Sequence, residues 1–197
     1  WYEYINARAH IPPYTKPHPE VAVVSSVTPS GGRLAGKYDL SMICIAATNP
    51  HYGSLDTIED GMFRKALDNN ILSNHWLIQL ALPDMRAKRD GAIVVISSIG
   101  ALRGTPVLGA YAITKAADIQ LVRNYAVENG RHGIRVNGIA PGLVRTDFAR
   151  ALYENPEAEK AAIARTPMGR LGEPDDIARR ERAVELRHGE VLVHHID

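Results

Sequence analysis

Four short apolar runs, separated by stretches of helical spacing, constrain this chain more than any other feature. VAVVSS (21–26), LSMICIAA (40–47), GAIVVISS (91–98) and residues 134–140 are each rich in β-branched or small apolar residues. Runs of that length bounded by turn residues read as buried strands. Between 59 and 88, Met62, Phe63, Ala66, Leu67, Ile71, Trp76, Leu77, Leu80 and Ala81 recur three or four apart, as on one face of a helix, until Pro83 should bend or end its regular part. A second long helix is expected from 109 to 129, stopped by Gly130 and Gly133. Shorter helices are expected over NPEAEKAAIAR and after Gly172-Glu173-Pro174, where proline suits a first turn. GEVLVHHI reads as a last strand, whereas the glycine-rich VTPSGGRLAG after the first run reads as a brief loop. Strands alternating with helices predict an α/β fold built of βαβ units, with a mostly parallel sheet and helices on both faces. In such sheets the chemistry sits outside the carboxyl ends of the strands.

At 197 residues the chain suits one globular domain, preceded by a proline-punctuated, irregular segment over 1–20. With 23 basic against 22 acidic side chains, nothing suggests a nucleic-acid or membrane-surface partner. A lone cysteine excludes an intrachain disulfide and fits a reducing compartment, and no stretch approaches the about 18 apolar residues of a membrane span. A soluble, cytoplasmic protein is expected. Cys44 reads as a small buried hydrophobe. The histidines lack metal-site spacing, and His194-His195 reads as a solvated tail.

The third apolar run ends on Ser97-Ser98 and leads through a glycine-bearing loop to Tyr111 and Lys115, four apart on one helix face. A lysine ammonium beside a phenol favours phenolate, which would bring a tyrosine from its free value of about 10 toward usefulness as a general acid or base. Ser98 is placed to bond the same substrate oxygen and stabilise charge developing on it. On its own, Y-x-x-x-K is an exposed helical pair. Paired serines before it and a strand running into Pro141-Gly142 after it make an active site the better reading.

The elements IAATNP, ALDNNILSN, IVVISSIG, YAITK, HGIRVNGIAPGLVRTDF and GRLGEPDDIA resemble, in order and spacing, the short-chain dehydrogenase/reductase family over about residues 39–178. The Ala46-Ala47-Thr48-Asn49-Pro50 loop is similar to that of its carbonyl and ketone reductases. The resemblance implies a Rossmann-like doubly wound sheet and hydride transfer between NAD or NADP and a ketone, aldehyde or alcohol. It implies that Tyr111 is the acid/base, that Lys115 lowers its pKa and holds the nicotinamide ribose, and that Ser98 polarises the carbonyl with Ser97 in support. Asn70 would kink its helix and link Lys115 to solvent through water. Ala46, Ala47, Pro141, Gly142, Val144 and Thr146 would contact the cofactor. Thr146 equally suits a helix N-cap, and the two roles are compatible. Asn69 reads as a polar helix residue, Asn74 as a surface or interface one, and Trp76 and Leu77 as core or subunit contact. A homodimer or homotetramer is implied as well.

A dinucleotide site needs a glycine loop after the first strand. Residues 25–32 keep only the last glycine of the family's pattern, Gly32, with Ser26 and Ser30 replacing the other two. The next strand follows after about ten residues, too few for the family's second and third strands. The expected sheet is therefore truncated, in the family's order 1-4-5-6 with a last strand added. A catalytically impaired relative serving as a non-catalytic or assembly partner is the alternative reading.

Overall fold

In the computed structural model the described residues are 22–25, 29–38, 40–45, 47–178 and 191–194; the irregular segment over 1–20, Ala46 and His195 lie outside them. Five strands form one sheet, β1 (Ala22–Ser25), β2 (Ser41–Cys44), β3 (Gly91–Ile96), β4 (Ile134–Pro141) and β5 (Val191–His194), lying side by side in chain order. Every pairing is parallel, with Val24 opposite Ile43, Ile43 opposite Val94, Val94 opposite Asn137 and Pro141 opposite His194. The expected truncated order, with its added last strand, is thus observed. His194 closes β5, within the stretch expected as the last strand.

Parallel neighbours need a crossover, and right-handed crossovers that always step the same way put their helices on the same side. The helices α1 (Pro29–Tyr38), α3 (Ser73–Lys88) and α4 (Gly109–Asn129) accordingly share one core with one strand face. That core joins Ala35, Leu77, Ile78, Leu82, Met85, Val122 and Tyr125 to Met42, Cys44, Ile93, Val95 and Val136. The opposite face carries Val94 and Ile139, flanked by Ile43 and Ile96. Only a reversal of strand order sends crossovers to the second face, and that reversal is lost with the missing strands. Among the described residues, the expected helices on both faces become three crossover helices on one.

The stretch read as a glycine-rich loop is the helix α1. Its glycines serve packing, since a Cβ on Gly32 would stand 2.7 Å from the Leu77 carbonyl oxygen and one on Gly36 2.9 Å from Asp84 Oδ2. One turn apart on one side, they let a ten-residue helix lie against the backbone of α3 and complete the crossover. The second helical region is continuous in path: α2 (Asp60–Leu67), a π-helical turn over Asp68–Leu72, then α3. Pro83 does not end α3, which runs on to Lys88 and closes on Arg89 in the left-handed conformation. Proline removes one intrahelical donor there, and the packed face of α3 keeps the helix going. Two short helices, α5 (Pro156–Ile163) and α6 (Pro174–Ala178), lie where they were expected, with Asn155 capping α5 through the Glu157 and Ala158 amides. No described helix is long and apolar enough to cross a membrane.

Gly133 turns the chain from α4 into β4 with φ of 74°, and an added Cβ would lie 2.2 Å from the Arg89 carbonyl oxygen. Gly133→Ala should therefore lower the unfolding free energy by about 1–3 kcal/mol in urea titration. Gly61→Ala, on an exposed turn of α2 with nothing within 4 Å of the new atom, should raise it by about 0.5–1 kcal/mol. Cys44 is fully buried, and burial first, then the Asp118 charge, pushes its thiol up to about 12. Below that pH it remains a thiol, so an alkylating reagent should label it at neutral pH only after unfolding.

Candidate active site

The two serines that end β3 divide the work between them. Ser97 is buried, its amide donates to the Ile139 carbonyl at 2.7 Å, and its hydroxyl donates to the Lys115 carbonyl at 2.7 Å. It thereby ties the end of β3 both to β4 and to α4. Ser98 is extended and caps a 3-10 turn over Ile99–Leu102, its Oγ accepting the Gly100 amide at 3.1 Å. The same side chain lies near enough to the Tyr111 phenol to pull its pKa down. The expected Ser98, Tyr111 and Lys115 are thus brought together at the carboxyl end of the sheet, with the Lys115 Nζ 5.9 Å from the Tyr111 ring centroid.

The electrostatics differ from the expectation. Burial pushes the Tyr111 phenol above its ordinary value; the Ser98 side chain pulls it down, and the Asp118 charge pushes it further up. The net shift is upward, so the expected lowering by Lys115 is corrected. Lys115 is 1% exposed, and its ammonium donates to Asp118 Oδ2 at 2.9 Å and to the Ile96 carbonyl at 2.9 Å. A cation matched by a carboxylate at contact distance presents little net charge to a third group.

Asn70 lies in the π-helical turn between α2 and α3, fully buried. Its amide clamps the loop after β2, with Oδ1 accepting the Thr48 N–H at 2.6 Å and Nδ2 donating to the Thr48 carbonyl at 2.9 Å. Nδ2 also donates to Thr114 Oγ1 at 2.9 Å, and that hydroxyl donates to the Tyr111 carbonyl at 2.8 Å. The side chain expected to kink its helix therefore joins the β2 loop to the turn of α4 that carries Tyr111. Its main-chain carbonyl accepts from Asn74 Nδ2 at 2.8 Å, and that Asn74 nitrogen also donates to Asp118 Oδ1 at 3.0 Å. Among the described bonds, Asn74 and Asp118 connect the Asn70 carbonyl to Lys115. Asn74, read from sequence as a surface or interface residue, is fully buried and forms part of this connection. Asp118 escaped the sequence reading altogether. Its signal was an acid three residues beyond Lys115 on a helix whose neighbouring core positions are apolar.

The remaining candidates are less uniform. Ala46 lies outside the described residues, and Ala47 is exposed. Pro141 ends β4 and Gly142 follows it, both half-buried, and the buried Val144 forms a bridge to Gly172. That bridge is closed by Arg145 N–H to Gly172 at 2.9 Å and Gly172 N–H to Leu143 at 3.0 Å. Thr146 stands at the N-cap of a 3-10 turn over Asp147–Leu152, with no side-chain capping bond. Gly32 is packed against α3. The set fits the nicotinamide and ribose half of a dinucleotide: Lys115 keeps one N–H beyond its two bonds, and the nearby loop holds Asn49, whose Oδ1 is buried without a partner. For the adenosine half, β1 is the edge of the described sheet, and no described strand pairs with its outer side.

A family model described as "Enoyl-(Acyl carrier protein) reductase" matches residues 22–181. Dehydrogenase/reductase SDR family member 4 of Bos taurus is 36% identical over 146 residues, covering 74% of this chain and 52% of that protein. The 7alpha-hydroxysteroid dehydrogenase of Escherichia coli is 42% identical over 116 residues, covering 59% and 45%. The chain spans about half the length of these curated relatives. A solved 7 alpha-hydroxysteroid dehydrogenase, complexed with NADH and 7-oxo glycochenodeoxycholic acid, superposes with a TM-score of 0.74 at 29% identity, covering 85% of this chain and 69% of that one. ElxO with NADP bound gives 0.74 at 29% identity, covering 84% and 72%.

Removing the Asn70 amide leaves the Thr48 backbone groups without their partner inside a half-buried loop. Asn70→Ala should lower the unfolding free energy by about 1–3 kcal/mol in denaturant titration.

Proposed function

The chain belongs to the short-chain dehydrogenase/reductase family, and we propose that it interconverts a ketone or aldehyde and the corresponding alcohol at the Ser98, Tyr111 and Lys115 site, in the manner of the family's carbonyl reductases. The gathering of Ser98 and Tyr111 at the carboxyl end of the sheet, with Lys115 one helical turn away and its Nζ 5.9 Å from the Tyr111 ring centroid, is the observation that carries this reading. NAD or NADP, when bound, supplies or takes the hydride. Ser98 and Tyr111 present two hydroxyls to one substrate oxygen, polarising the carbonyl. In reduction the Tyr111 hydroxyl passes its proton to that oxygen as the alcohol forms, and in oxidation the phenolate takes the proton back. A phenol held above its ordinary pKa keeps the proton needed for reduction. Lys115, through its remaining N–H, would hold the ribose, while Pro141, Gly142, Val144 and Thr146 would border the nicotinamide.

Two relatives support the cofactor class through their bound NADH and NADP. Trp76, 54% exposed on α3, and Val127, 85% exposed on α4, support self-association across those helices into a homodimer or homotetramer. The second reading, a non-catalytic or assembly partner, is favoured by the edge position of β1, which leaves the adenosine half without a described wall.

Purified chain given NADH or NADPH and a panel of ketones and aldehydes should oxidise the cofactor, and Tyr111→Phe should slow it about 100- to 10,000-fold. Turnover unchanged in Tyr111→Phe would remove the mechanism. Calorimetric titration separates the two readings, because cofactor binding on the order of micromolar rules out the non-catalytic one.

A further inference from the structure

Asp118 is fully buried in the middle of α4, an expensive place for a carboxylate unless its oxygens are bonded and its charge is matched. Both conditions are met. Oδ2 receives the Lys115 ammonium at 2.9 Å and Oδ1 receives the Asn74 amide at 3.0 Å. The i, i+3 spacing puts the acid one turn beyond the lysine on the same helix face. Asn74 is committed to this arrangement. It donates to two acceptors, the Asn70 carbonyl and Asp118, and its own Oδ1 is left buried without a partner. Rotating the amide by half a turn would set oxygen against oxygen at both places.

We propose that Asp118, anchored by Asn74, is a positioning residue that holds the Lys115 ammonium against the Ile96 carbonyl and sets the pH at which the Tyr111 and Lys115 pair releases its first proton. The inference rests on Tyr111 as the acid/base and adds to it a group that touches neither substrate nor cofactor. Charge decides the direction. With Asp118 ionised, losing a proton from the pair leaves a buried net negative charge; without it, the same loss leaves the pair neutral. The first proton therefore leaves at lower pH when the carboxylate is gone, whichever member of the pair gives it up. Among the described residues, the groups facing Asp118 are Lys115 and Tyr111 on its own helix, the Cys44 thiol from β2, the neutral Asn74 from α3 and, through Lys115, the Ile96 carbonyl of β3. Cys44 stays protonated up to about 12 and adds no charge at working pH. Burial raises the pKa of Asp118 itself, while Lys115 and Asn74 oppose that rise.

The test is a pH titration followed by nuclear magnetic resonance on the cofactor-free chain, with tyrosine isotope-labelled at Cζ and lysine at Cε, the two signals being assigned by their loss in Tyr111→Phe and Lys115→Met. In Asp118→Asn, the first of the pair to titrate should do so lower by about one pH unit or more. Asp118→Glu, which keeps the charge, should retain the wild-type titration. Unmoved signals in a folded Asp118→Asn protein would overturn the proposal, as would an Asp118→Glu shift as large as that of Asn. Should Asp118→Asn fail to fold, the carboxyl signal of Asp118 in the wild-type chain decides. Ionised at neutral pH, it supports the proposal; protonated there, it leaves no charge to act and the proposal falls. None of these readings requires turnover, so an inactive wild type would count against the proposed function alone. In an active chain, the acidic limb of the alcohol-oxidation profile should move down with Asp118→Asn by the same interval.

Discussion

Five parallel strands laid down in chain order leave one side of the sheet for the helices that join them. Each crossover steps to the next strand in the same direction, so α1, α3 and α4 stack in a row over the alternating residues Met42, Cys44, Ile93, Val95 and Val136. Everything that positions the site follows from this row. The row brings α4 beside the end of β3, where Ser97 can reach the Lys115 carbonyl, and it brings α3 beside α4, where Asn74 can reach Asp118. The first crossover is only ten residues of helix, and it succeeds because Gly32 and Gly36 allow α1 to touch the backbone of α3.

Within that frame the site is held by buried and half-buried polar groups. Thr48, Asn70, Thr114 and the Tyr111 carbonyl form one line of bonds, and Asn70, Asn74, Asp118, Lys115 and the Ile96 carbonyl form another. The two lines meet at Asn70, in the π-helical turn that separates α2 from α3. An extra residue in that turn rotates the start of α3, and π-bulges recur at functional sites for this kind of reason. The lines hold Tyr111 and Lys115 with little freedom, which is the preorganisation an acid/base pair requires.

Much of the site was legible before any coordinates. Tyr111, Lys115 and Ser98 stand out because their chemistry and spacing are local, and Asn70 because the family pattern carries it. The strands announced themselves as apolar runs, and α4 began and ended where its spacing and glycines placed it. Three features were not legible. Residues 29–38 looked like a loop because glycine lowers helix propensity, whereas packing against α3 outweighs that loss. Asn74 looked like a surface amide because an asparagine at a helical position gives no sign of which face it occupies. Asp118 passed unnoticed because a buried acid is recognised only by the partners that neutralise it.

The sequence by itself determined the order of strands and helices, the short first crossover that excludes two strands of the parent sheet, and the set of residues able to do acid/base chemistry. These are properties of local pattern and chain length, and they survive without knowledge of neighbours. Tertiary structure alone decided which way the charges act. Burial raised the Tyr111 pKa, and Lys115 turned its cation to Asp118, because the energy of a charge depends on the groups and the solvent around it. Those surroundings come from α3, β2 and β3, up to about seventy residues away in the chain, and gather around α4 only once the sheet is wound.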